Sequence, residues 1–118
     1  MQIRVDGEKF ASMAAARILE NFVQGLPMPE REFVFAAQGQ SYGPLFDEKL
    51  TVAAWKTKSS WVIISASDRI LPPPMEQAEA KKLDAAATTL PTRHPAMLED
   101  PETVAAVIDQ AAEQVLSK

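Results

Sequence analysis

Seven residues constrain this chain more than any others: Ser60-Trp61-Val62-Ile63-Ile64-Ser65-Ala66. Apolar side chains fall on consecutive positions, although successive residues of a strand point to opposite faces. Such a strand is covered on both faces, as in a parallel sheet. A parallel neighbour needs a crossover connection, so the next strand should follow a helix. The downstream residues fit. Asp68 and Arg69 follow the strand, and Pro72 to Pro74 lead into a helix from about Met75 to Asp84. Ala85–Leu90 is a second short strand, parallel to the first. Pro91–Glu99 is a loop carrying the only histidine, His94. Asp100-Pro101-Glu102 combines a capping side chain, a proline at the first helical position and an acid in the first turn. Val104, Ile108, Ala111 and Val115 then mark a buried stripe on the last helix. The second half is therefore strand, aspartate loop, helix, strand, histidine loop, helix. This is an α/β arrangement, in which functional groups gather at the carboxyl ends of parallel strands.

The first half is more helical. Gln2–Val5 alternates as a short strand, ended by Asp6-Gly7. Phe10, Met13, Ala14, Ile18, Phe22 and Val23 recur at three- and four-residue spacing, which predicts one amphipathic helix over Phe10–Leu26, closed by Gly25 and Pro27. Pro29–Gln38 carries two signals. Phe33-Val34-Phe35 favours a strand, whereas Pro29 and Glu30 before an alanine-containing run favour a helix start; the helix is preferred. Gly39–Pro44 is a loop, and Leu45–Leu50 has room for a further helical turn.

With 118 residues the chain is expected to form one domain, a helical segment over 1–50 and an α/β segment over 51–118. The absence of cysteine removes a disulfide framework, a thiolate metal site and a cysteine nucleophile. One histidine and no cysteine argue against a transition-metal site, and no glycine loop is built to cradle phosphate, so no cofactor is expected. A net charge of −4 without a basic patch argues against nucleic acid. No apolar run approaches the roughly 20 residues of a membrane span. Polar, strand-like sequence directly after Met1 shows no signal peptide, so the expected location is cytoplasmic. Glu76, Glu79, Asp84, Glu99, Asp100 and Glu102 are expected to form a solvated acidic surface, and Trp55 and Trp61 to pack in a core or interface.

Fourteen residues matched in order carry a resemblance: Trp55, Lys56, Lys58, Ser60, Trp61, Asp68, Arg69, Pro72, Lys81, His94, Met97, Leu98, Pro101 and Val104. On them the chain resembles the C-terminal third of an α/β-hydrolase of the bacterial esterase-like branch. Val5–Phe10 and Leu26–Gln38 resemble the cap region of that branch more loosely. The resemblance implies a partial α/β-hydrolase fold, with two short parallel strands, flanking helices and a helix-rich N-terminal cap-like segment. It also implies truncation, since the earlier strands, the oxyanion-hole loop and the usual nucleophile elbow would lie before residue 1. By residue-wise transfer Asp68 is the acid and His94 the base of a serine triad. An imidazole can take a proton at neutral pH, and a carboxylate on its other nitrogen fixes the tautomer.

The nucleophile is the open question. Gly39-Gln40-Ser41-Tyr42-Gly43 is a literal Gly-x-Ser-x-Gly ahead of Asp68 and His94. An elbow requires a strand before the serine and a helix straight after it, yet Pro44 follows at once and Ser60 comes soon after. The expected function is a hydrolase-like chain without independent catalysis, an assembly or binding module or one part of a hydrolase. A parallel strand with an open edge is expected to need a partner, a second copy giving a dimer or a complementary chain. The alternative is a small serine hydrolase acting on short acyl esters through Ser41, His94 and Asp68. If the resemblance were only remote, the chain would be an unrelated small α/β interaction domain.

Overall fold

A computed structural model describes residues 3–117 and divides the chain into two compact units, Met1–Ala53 and Ala54–Lys118.

The first unit opens with a hairpin rather than a strand and a long helix. β1 (Ile3–Val5) and β2 (Phe10–Met13) run antiparallel, with Ile3 opposite Met13 and Val5 opposite Ala11. Gln2, expected at the start of this strand, lies outside the described residues. Asp6 makes the turn: its Oδ1 accepts the amides of Glu8 and Phe10 at 3.0 and 2.9 Å, and Lys9 takes a left-handed φ of 68°. An aspartate that binds backbone two and four residues on favours a turn over a helix start. The helix expected over Phe10–Leu26 is thereby corrected. Phe10–Met13 is strand, and only α1 (Ala15–Arg17) and the π-helical turn Ile18–Phe22 are helical. Ile18, Val23 and Leu26 form the buried core, with Met13, Phe22 and Val34 packed against it.

α2 (Met28–Ala36) takes the helical option. Its Arg31 turns back and donates to the carbonyls of Leu26, Gln24 and Leu19 at 2.6, 2.7 and 3.2 Å. Carbonyls at the end of a helical stretch lack partners of their own, and a cation there complements the helix dipole. β3 (Ser41–Tyr42) adds to the other edge of β2, placing Ser41 opposite Ala11 and Tyr42 opposite Phe10. The loop expected over Gly39–Pro44 thus contains a strand, and the extra helical turn is a 3-10 turn, Gly43–Asp47. Gly43 donates its amide to the Lys9 carbonyl at 2.8 Å, and a Cβ there would stand 3.0 Å from that oxygen. Close backbone approach therefore explains the second glycine of the Gly-x-Ser-x-Gly sequence.

The second unit follows its expected order closely. β4 (Trp61–Ser65) and β5 (Ala86–Leu90) are parallel, with Trp61 opposite Ala86 and Ser65 opposite Leu90, and α3 (Pro73–Lys82) crosses between them. The end of α3 is a Schellman motif: Ala85 N–H reaches the Ala80 carbonyl, Asp84 N–H that of Lys81, and Asp84 has a φ of 50°. A short helix, α4 (Ala96–Glu99), occupies part of the expected histidine loop. α5 (Pro101–Leu116) starts as predicted, Asp100 accepting the Thr103 amide at 3.1 Å. Its inward face is corrected. Val107 is buried, and Val104 and Ala111 are half-buried, but Ile108 and Val115 are 61% and 56% exposed. α5 packs on β4 and α4, and so narrow a support covers only part of the apolar arc. Ile64, Ala80, Leu90, Ala96 and Val107 are the buried apolar residues of this unit.

Candidate active site

Two loops meet at the carboxyl ends of β4 and β5. Ala66 N–H reaches the Leu90 carbonyl at 2.8 Å and Ser67 N–H reaches that of Thr92 at 3.0 Å, so the pairing continues beyond both strands. Buried Ser65 and Thr92 join hydroxyl to hydroxyl at 3.1 Å. Two loops stitched together in this way present Asp68 from one and His94 from the other.

Asp68 is bound on both carboxylate oxygens. Oδ1 accepts the amides of Ile70 and Leu71 at 2.6 and 3.1 Å, which fixes the rotamer. Oδ2 lies 2.7 Å from His94 Nδ1. The Asp68 side chain is 0% exposed, while the His94 ring is 27% exposed. A buried carboxylate therefore holds an imidazole that still reaches solvent. Next to it, Arg93 bonds to Glu99 at 3.2 Å, with the Glu99 carboxyl almost buried. That ion pair closes the loop around His94 on itself.

Glu76, in the first turn of α3, was missed. Its Oε2 accepts the amide of Ser65 at 3.0 Å. Its carboxyl is pushed above the ordinary carboxylate range, chiefly by burial. The Ser65 amide opposes this, the charge of Asp68 adds to it and that of His94 opposes it. The expected solvated acidic surface is corrected accordingly: Glu76 and Glu99 are half-buried and bonded, and Asp100 caps α5. Nothing in the sequence separates Glu76 from Glu79, which pairs with Lys82 in solvent at 3.5 Å. The distinguishing fact is the direction of α3 over the end of β4.

The structure thus brings Asp68 and His94 together. Ser41 belongs to the first unit, where it is exposed on β3 and lines a hollow of about 230 Å³ with Ile3, Ala11, Met13 and Phe46. Its backbone pairs with β2, and a 3-10 turn begins two residues later, so Ser41 does not stand on a strand-to-helix elbow. Trp55, Lys56, Lys58 and Trp61 line an open groove of about 900 Å³ with Lys82 and Asp84, at the opposite end of the parallel pair. Among the described residues no cluster of three or more histidine, cysteine or acidic side chains is placed to hold a metal ion. No helix among them is long and apolar enough to cross a membrane.

The model of the alpha/beta hydrolase family matches residues 4–107, a stretch that includes Asp68, Glu76 and His94. The comparison with curated proteins finds no match. With most of its length inside the family model, the chain belongs to the alpha/beta hydrolase family.

Proposed function

We propose that this chain supplies the acid and base of a serine-hydrolase triad, Asp68 and His94, for an esterase-type reaction on a short acyl ester. The observation that carries the reading is the 2.7 Å bond between the fully buried Asp68 carboxylate and His94 Nδ1. With Nδ1–H donating its hydrogen bond to Asp68, Nε2 is left as the basic nitrogen. It takes the proton of an attacking serine hydroxyl and returns it to the leaving alcohol. The buried carboxylate keeps the ring oriented and stabilises the imidazolium formed midway.

The chain alone does not complete this chemistry in our reading, because Ser41 lacks the elbow geometry that activates a serine. A complementary polypeptide supplies the nucleophile. Among the described residues β4 pairs only with β5, which supports a partner that adds a strand there. The working location of such an assembly is the cytoplasm, with no metal or organic cofactor in the reaction.

Treatment of the folded chain with a fluorophosphonate, followed by intact mass, tests the assignment. No adduct is expected. In the same protein, the imidazole N–H proton donated to Asp68 should resonate far downfield in the NMR spectrum and disappear in Asp68→Asn. A single adduct on Ser41 that is lost in His94→Ala would overturn the reading. The chain would then be a small serine hydrolase using Ser41, His94 and Asp68.

A further inference from the structure

The register of β4 gives Glu76 a specific role. Ala66 N–H and the Ser60 carbonyl both bond across to β5, at 2.8 and 3.0 Å. Even-numbered residues of this strand therefore face β5, and odd-numbered ones face the other edge. Ser65 is odd, and its amide is taken on that edge by Glu76 Oε2 at 3.0 Å. The Ser65 carbonyl accepts the amide of Asp68 at 3.1 Å, and its hydroxyl meets Thr92, two residues before His94. One residue thus links Glu76, the Asp68 turn and the histidine loop.

We propose that Glu76 is a positioning residue for the Asp68–His94 pair: through the Ser65 amide it holds the end of β4 from which Asp68 springs. This rests on the reading of Asp68 and His94 as acid and base. The charges that face Glu76 are those two. β4 and β5, the strands packed against α3, carry no titratable side chain. On its own helix, Lys82 is joined to Glu79 in solvent, and Lys81 is exposed. Glu76 acts without touching the reacting atoms, by holding the strand end that Ser65 joins to the Asp68 turn and, through Thr92, to the histidine loop.

His94 is the only histidine, so its ring resonance follows the site without assignment. Glu76→Gln retains an oxygen for the Ser65 amide and removes only the charge. The full chain carrying it should fold as the parent does and keep the downfield N–H proton of His94. Glu76→Ala, which releases Ser65, should broaden or weaken that proton. If Glu76→Ala does not fold, Glu76→Asp, whose carboxyl falls short of the Ser65 amide by one methylene, should weaken it in the same way. A downfield proton unchanged in the folded Glu76→Ala or Glu76→Asp chain, and lost in Asp68→Asn, would overturn the role of Glu76 and leave the acid–base reading standing. An Asp68→Asn chain that keeps that proton would remove both.

Discussion

Arg31 in the first unit donates to three backbone carbonyls, whereas Asp68 in the second is joined to an imidazole with another carboxylate close by. Both are charged groups at least partly withdrawn from water, and each is held by several hydrogen bonds. Their partners differ in kind. Carbonyl dipoles keep the same charge at every pH, so the Arg31 clamp serves architecture alone. The Glu76 carboxyl instead answers to its surroundings: burial pushes it up, the Ser65 amide opposes this, and the charges of Asp68 and His94 act in opposite directions. A fold needs the first arrangement for stability; the second is tolerated for what it can do, in line with the strain that functional sites carry.

The largest effect is expected from the core of the first unit. Ile18 is 2% exposed, and Ile18→Ala should destabilise that unit by about 3 kcal/mol, read as faster amide hydrogen exchange over residues 18–26. An unchanged exchange pattern there would mean that packing is not what holds the unit. Next comes Arg31→Ala, which leaves three carbonyls without their donor and should cost about 2 kcal/mol. That loss should be the same at pH 6 and pH 8, and a pH-dependent loss would break the contrast drawn above. In the second unit, Asp100→Ala removes the cap of α5 and should cost about 1 kcal/mol in denaturant unfolding.

The smallest effect is expected at Glu76. The folded state raises the Glu76 pKa, so it holds that proton more tightly than the unfolded chain does. Its contribution to stability is present below the unfolded value and is lost as pH rises through the folded one. Glu76→Gln should therefore be at least as stable as the parent at neutral pH. Thermal unfolding should show its advantage shrinking as pH falls through the carboxylate range. An advantage that grows on acidification would reverse the sign and contradict the burial of this carboxyl.

The second unit was legible because its signals are of one kind. Trp61–Ile64 reads as a strand, although its cover on both faces is incomplete, Trp61, Val62 and Ile63 being half-buried; the prolines before Met75 start a helix, and Asp100-Pro101-Glu102 starts another. Asp68 and His94 came from resemblance, since neither stands out by spacing. The first unit defeated the apolar period because Phe10, Met13 and Ala14 suit a helix and a half-buried hairpin equally. A single side chain, Asp6, decides between them through two bonds to backbone. Ser41 drew attention through two flanking glycines, yet Gly43 is required by the Lys9 carbonyl that approaches it. Glu76 was hidden for a further reason: its partner is a backbone amide on another element, and sequence patterns do not record such pairings.

Glu76 has one more consequence, for solubility. The edge of β4 away from β5 is a row of backbone groups flanked by apolar side chains, and an edge of that kind is a template on which copies can stack. The carboxylate of Glu76 already occupies the Ser65 amide, so an added strand can use the Trp61 and Ile63 positions but must stop before Ser65. A short edge closed by a charge admits a fitted partner and discourages indiscriminate growth into fibrils. Substitution of Glu76 by an apolar residue would lengthen that edge by one pairing site and remove the charge that guards it.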